Sequence, residues 1–104
     1  MWIVVWSYTV APENRSEFEV AYGADGDWVQ LFSEGWGFVG SELFVTADGG
    51  HYLTVDRWES QAAAEAFMRT HGSAYEALDA GLAHLIESEM MVFSGARTGE
   101  DAFP

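Results

Sequence analysis

The first ten residues, MWIVVWSYTV, are β-branched and aromatic almost throughout, and they predict a strand. Ala11, Pro12, Glu13 and Asn14 end it. Pro12 followed by Glu13 signals a helix start, because proline's fixed φ suits the first turn and an acid complements the helix dipole. Phe18, Ala21 and Tyr22 then share one helical face. Residues 24–27 (ADGD) interrupt the period, and Asp25 or Asp27 is suited to cap a second short helix. That helix carries Trp28, Leu31 and Phe32 at i, i+3 and i+4 and stops near Gly35. Residues 37–46 and 51–58 predict a second and a third strand. Asp48-Gly49 between these apolar runs predicts a tight type I′ hairpin, whose two central residues need positive φ. That turn sets the pairing: Phe44 opposite Leu53, Glu42 opposite Val55, Ser41 opposite Asp56, Gly40 opposite Arg57. Ser60 is placed to cap a helix over residues 61–70, which Gly72 should break or bend. The helical pattern resumes over residues 74–85, with Tyr75, Leu78, Leu82 and Leu85 on one face. Residues 89–94 predict the last strand, and residues 96–104 a polar tail, so the domain spans residues 1–95.

The order β-α-β-β-α-β predicts an α+β, ferredoxin-like fold with a four-stranded antiparallel sheet and helices on one face. Such a sheet normally alternates apolar and polar faces. Here both are apolar. In the first strand Ile3 and Val5 point one way, and Trp2, Val4, Trp6 and Tyr8 the other. In the last, alternation puts Met91 and Phe93 on one face and Met90 and Val92 on the opposite one. The helices cover one face. A second copy packed sheet to sheet is expected to cover the other, giving a homodimer.

Composition narrows the chemistry. With 104 residues, 49% apolar and 15% aromatic, the chain has material for one packed domain. It has no Cys, which removes disulfides, thiolate metal sites and thiol nucleophiles. The longest apolar run, Trp2 to Trp6, is far short of a membrane span and has no basic segment before it, so neither a span nor a signal peptide is expected and the cytoplasm is the expected location. Seventeen acids face four Arg and no Lys, for a net charge of −13. Phosphate backbones and anionic lipid surfaces would repel such a chain, so no nucleic-acid or membrane partner is expected. His51, His71 and His84 have no ligand spacing, and no metal site is expected. The Asp25-Gly26-Asp27 loop lacks the remaining ligands of a calcium loop. Gly35-Trp36-Gly37 leads into a strand and is no dinucleotide fingerprint.

Several segments resemble the antibiotic biosynthesis monooxygenase-like domain of the dimeric α+β barrel superfamily. They are residues 21–28 (AYGADGDW), Leu31-Phe32, residues 38–43 (FVGSEL) and above all residues 52–60 (YLTVDRWES), with the helix holding Phe67 and Tyr75 and the strand after Glu89. The resemblance covers about residues 1–95. It implies a ferredoxin-like protomer in a homodimeric barrel. Members include monooxygenases that oxidise aromatic phenols with O₂ and no cofactor, and others that degrade haem. Where the haem-degrading members carry Asn, Trp and His, this chain has Ser7, Phe67 and Asp79, which speaks against that reaction.

The expected function is thus a cofactor-independent monooxygenase, or related enzyme, acting on a small hydrophobic aromatic molecule between helices and sheet. The alternative is a non-catalytic dimeric binding or structural module. Arg57 either pairs with Glu42 or holds an anionic or enolate oxygen. Asp56 either bonds Ser41 or serves as a buried general base. His71 either caps a helix end or acts as acid and base. Tyr75 faces the sheet with its hydroxyl and completes the candidate catalytic set. Trp58 is a core anchor or a stacking surface for a flat substrate. Ser7, Phe67 and Trp28 are the other candidate substrate contacts.

Overall fold

The computed structural model of the chain describes residues 1–99. Four strands, β1 (Trp2–Thr9), β2 (Phe38–Val45), β3 (His51–Trp58) and β4 (Ser88–Ala96), form one antiparallel sheet in the order β2-β3-β1-β4. Helices α1 (Arg15–Tyr22), α2 (Asp27–Phe32) and α3 (Gln61–Leu82) cover one face of it. This is the expected α+β, ferredoxin-like arrangement.

Alternation sorts the side chains. Trp6 and Tyr8 of β1, and Tyr52, Thr54, Asp56 and Trp58 of β3, face the helices. Ile3, Val5, Ser7, Leu53, Val55 and Arg57 face the open side. Under the helices the core is an aromatic chain. Phe18 stacks on Tyr22 at 4.2 Å, and Phe32 meets Trp58 edge-on at 5.7 Å and Phe67 at 5.3 Å.

The β2–β3 register is the expected one from Gly40–Arg57 to Val45–Tyr52. The turn differs. The Gly49 N–H bonds Thr46 O at 2.9 Å and the Thr46 N–H bonds His51 O at 2.9 Å, closing a four-residue loop over residues 47–50. Of these four only Gly49 has positive φ, +79°. Asp48 stays in the ordinary region because its carboxylate accepts from Thr46 Oγ1 and the Gly50 N–H, a local turn that the I′ rule ignores. Four loop residues and two share the same centre, so the pairing survives the change of turn. At the far end a bulge at Val39 puts Phe38, rather than Val39, opposite Trp58.

Three further expectations are corrected. Gly72 neither breaks nor bends α3, which runs unbroken through it. The roughly 1 kcal/mol that glycine costs in a helix is outweighed by the packing of Ala63, Phe67 and Leu82 in the core, with Ala64, Tyr75 and Leu78 against it. Asp25 and Asp27 do not cap α2, whose N-cap is Gly26. Met91 and Phe93 do not share a face. The β1–β4 register slips between Val5 and Trp6, pairing Val5 with Phe93 but Trp6 with Met91. Val92 is the inserted residue, so Met91 turns to the helix side of the sheet, half exposed, and Phe93 to the open side. Ser60 caps α3 as expected, accepting from the Ala63 N–H at 3.1 Å. β4 runs to Ala96, into the expected tail, and residues 100–104 of that tail lie outside the described residues.

Candidate functional site

Between sheet and helices lies a cavity of two lobes. The first, about 200 Å³, is lined by Trp6, Tyr8, Tyr22, Trp28, Phe32, Ser41, Thr54, Asp56, Tyr75, Asp79 and Glu89. The second, about 320 Å³, is lined by Val4, Trp58, Ala64, Phe67, Met68 and Met91 together with Trp6, Phe32, Asp56 and Tyr75. The four shared residues form the wall common to both lobes, and Asp56 is the only charge among them.

Asp56 reaches this place by the alternation of β3. It is 9% exposed, and its bonding partner is Ser41 on β2, whose hydroxyl donates to Oδ1 at 2.5 Å. Burial pushes the Asp56 carboxyl up to about 6, against the opposing pull of the Ser41 bond. No Lys, Arg or His is among the residues lining either lobe. The phenols respond to the same surroundings. Burial first, then the charges of Asp79, Asp56 and Glu89, push Tyr75 up to about 12. Burial takes Tyr22 up to about 12, with Trp28 pulling the other way. Both phenols keep their protons at neutral pH and remain donors. Tyr8 is raised too, mainly by burial, and its hydroxyl lies 3.3 Å from Thr54 Oγ1. The Tyr22 hydroxyl and the Trp28 indole N–H are buried without a hydrogen-bond partner.

The expected site residues divide into two groups. Asp56, Tyr75, Trp58, Phe67 and Trp28 line the cavity. Arg57 and Ser7 do not, because each is one step out of phase with a cavity-facing neighbour and therefore points to the open side of the sheet. Arg57 pairs there with Glu42. Ser7 lines a shallow groove with Phe44, Leu53 and His51. His71 stands mid-helix rather than at a helix end, and outside the cavity lining. Its ring stacks on Phe67 at 4.9 Å, its Nδ1 lies 2.8 Å from Thr70 Oγ1 and its Nε2 3.7 Å from Glu34. It braces one cavity residue from behind. Tyr8, Tyr22, Asp79 and Glu89 were not among the candidates, although the signals exist. Asp79 is four residues after Tyr75 on α3, and Glu89 alternates with Met91 on β4. Among the described residues no group of His, Asp and Glu could hold a metal ion, and no helix is long and apolar enough to cross a membrane.

Among curated proteins nothing matches the chain. Solved structures do match in fold. A monooxygenase from the gene ActVA-Orf6 of Streptomyces coelicolor, in complex with nanaomycin D, has a TM-score of 0.72 at 21% identity, over 94% of this chain and 88% of that one. SnoaB, a cofactor-independent oxygenase from Streptomyces nogalater, in its N63A mutant, scores 0.68 at 19% identity, over 94% and 96%. PA3566 from Pseudomonas aeruginosa scores 0.66 at 16% identity, over 94% of each chain. The family profile described as antibiotic biosynthesis monooxygenase matches residues 1–77, and the chain belongs to that family.

Proposed function

We propose that this chain is a cofactor-independent monooxygenase that oxidises a small, flat, hydroxyl-bearing aromatic molecule with O₂ in the two-lobed cavity. The observation that carries this reading is a buried carboxylate, Asp56, on the wall common to two lobes lined largely by aromatic rings, and raised to about 6. At neutral pH it is ionised yet close enough to its pKa to take a proton. The SnoaB fold neighbour lends the reading support.

The chemistry needs little else. Asp56 accepts the hydroxyl proton of the substrate. The electron-rich phenolate gives an electron to O₂, and the resulting pair joins as a carbon–oxygen bond at the ring carbon. The peroxide then loses water, with one oxygen kept as a new carbonyl and the other leaving with two protons, one of them returned from Asp56. The substrate is the reductant and O₂ the oxidant. Tyr75, still protonated, donates to an oxygen of the reacting pair. Trp28, Trp58 and Phe67 hold the ring by stacking and keep water out.

A homodimer belongs to this reading. Phe44, Leu53, Met90 and Phe93 stand between 41% and 58% exposed on the open side, around Ile3, Val5 and Val55. An apolar surface of that kind fits a second sheet.

The test uses 1,5-dihydroxynaphthalene, whose oxidation by one O₂ gives juglone and one water. With purified protein and no added cofactor, oxygen uptake should match juglone formed one to one, with an oxygen atom of ¹⁸O₂ in the product. Binding without oxygen uptake, for this and other hydroxynaphthalenes, would instead favour the non-catalytic binding module.

A further inference from the structure

The first lobe holds polar groups for which the oxidation has no use. Asp79 on α3 and Glu89 on β4 line its wall, and no cation lines the lobe to offset them. Glu89 responds to both its surroundings and its neighbour, since burial and then the charge of Asp79 hold its carboxyl above its ordinary range. In the same lobe the Trp28 N–H and the Tyr22 hydroxyl are buried without partners, on residues 8% and 4% exposed. The two lie close enough for Trp28 to pull the Tyr22 phenol down as a hydrogen-bonding neighbour does, though neither atom meets a partner at full hydrogen-bond geometry. A buried donor left unpaired is costly, and a shared acceptor would relieve both. The indole can only donate. The missing group is therefore an acceptor, and Asp79 and Glu89 oppose a negatively charged one.

We infer that this lobe is a charge filter on the ligand: Trp28 and Tyr22 receive an uncharged carbonyl oxygen, while Asp79 and Glu89 turn away carboxylate-bearing molecules. This rests on the cavity being the ligand site and names the ligand class as an uncharged hydroxyaromatic carbonyl compound. Carboxylate discrimination belongs to Asp79 and Glu89, and carbonyl recognition to Trp28 and Tyr22.

Calorimetric titration with three probes separates these roles: 6-hydroxy-2-naphthamide, 6-hydroxy-2-naphthoate and 2-naphthol. The amide should bind wild-type protein about tenfold tighter than either of the others, a difference of the size one satisfied buried hydrogen bond or one like-charge contact supplies. In the D79N/E89Q variant the carboxylate should approach the amide. In Trp28→Phe the amide should fall to the level of 2-naphthol. Should Trp28→Phe fold poorly, Tyr22→Phe removes only a hydroxyl and should weaken the amide in the same direction. Equal binding of amide and carboxylate to the wild type overturns the filter and leaves the monooxygenase reading standing. So does a Trp28→Phe or Tyr22→Phe variant that keeps the full amide preference. If none of the three probes binds, the cavity is not an aromatic-ligand site and both readings fall together.

Discussion

Ser41 and Asp56 face each other across the β2–β3 hairpin, hydroxyl to carboxylate at 2.5 Å, and this pair is where the stability of the fold and its proposed chemistry oppose each other. Asp56 is ionised at neutral pH in a place that favours its neutral form. A carboxyl with a folded value of about 6, above its ordinary 3.8, holds its proton more tightly when folded. Its contribution to stability is therefore full below 3.8, is lost as pH rises from 3.8 to 6, and above that leaves a charge costing up to about 3 kcal/mol. Asp56→Asn should raise the melting temperature at pH 7 to 8, with the gain shrinking toward pH 4. The same variant should lose about a hundredfold or more in turnover. Thermal melts across pH 4–8 and oxygen uptake with 1,5-dihydroxynaphthalene check the two halves.

Ser41→Ala removes the donor that holds the Asp56 carboxyl down. The limb of the pH–rate profile set by Asp56 should lie near pH 6 in the wild type. In the variant it should move up by about one unit, the effect of one lost hydrogen bond to a charged group. An unmoved limb would mean that another group titrates there.

Tyr75 lines both lobes and keeps its proton, so Tyr75→Phe deletes a donor without deleting a ring. Turnover should fall roughly fivefold, matching about 1 kcal/mol of hydrogen bonding, with a melting temperature close to the wild type. Oxygen uptake and a melt in the same buffer suffice.

On the open side, Phe93→Asp sets a charge opposite Val5, in the middle of the apolar sheet surface. The proposed sheet-packed dimer should dissociate about a hundredfold or more readily, through lost burial and a charge without a partner. Sedimentation velocity over a concentration series reads it. A wild type that sediments as a monomer would remove the sheet-packed dimer at once.

Ser60→Ala tests the start of α3. The hydroxyl is a cap bonded to the Ala63 N–H, and its loss should cost about 1 kcal/mol, or roughly 4–8 °C in a domain of this size. Thermal melts followed by circular dichroism decide it.

Much of this geometry could be read in the chain beforehand, for reasons that differ by residue. The Ser41–Asp56 and Gly40–Arg57 pairings were legible because the centre of a hairpin loop sets every pair outside it, whatever the turn inside. The helix face of Phe18, Ala21 and Tyr22 was legible because three residues on a 3.6 period have one arrangement. The side of the sheet taken by Arg57 and Ser7 was not. When both faces are apolar, alternation separates two sets without saying which one the helices cover. The Val92 bulge was hidden for a related reason, since an inserted residue in an apolar strand leaves no polar residue out of phase to betray it. Gly72 misled because a local propensity of about 1 kcal/mol was weighed without the packing of Ala63, Phe67 and Leu82 on either side of it. Asp79 and Glu89 were not legible as cavity residues, because on a strongly acidic chain one more acid gives no sign of whether it faces solvent or a cavity.

The unbroken α3 gives the cavity a mechanical character. Its 22 residues make a rod about 33 Å long, with Ala64, Phe67 and Met68 near one end in the second lobe and Asp79 further along in the first. A break at Gly72 would have let two short segments adjust independently. A continuous helix does not permit this, and any tilt that widens one lobe must shift the wall of the other. Selection for a bulkier ligand would then be met by trimming side chains on the sheet, at positions such as Trp6 or Met91, before it could be met by moving the roof.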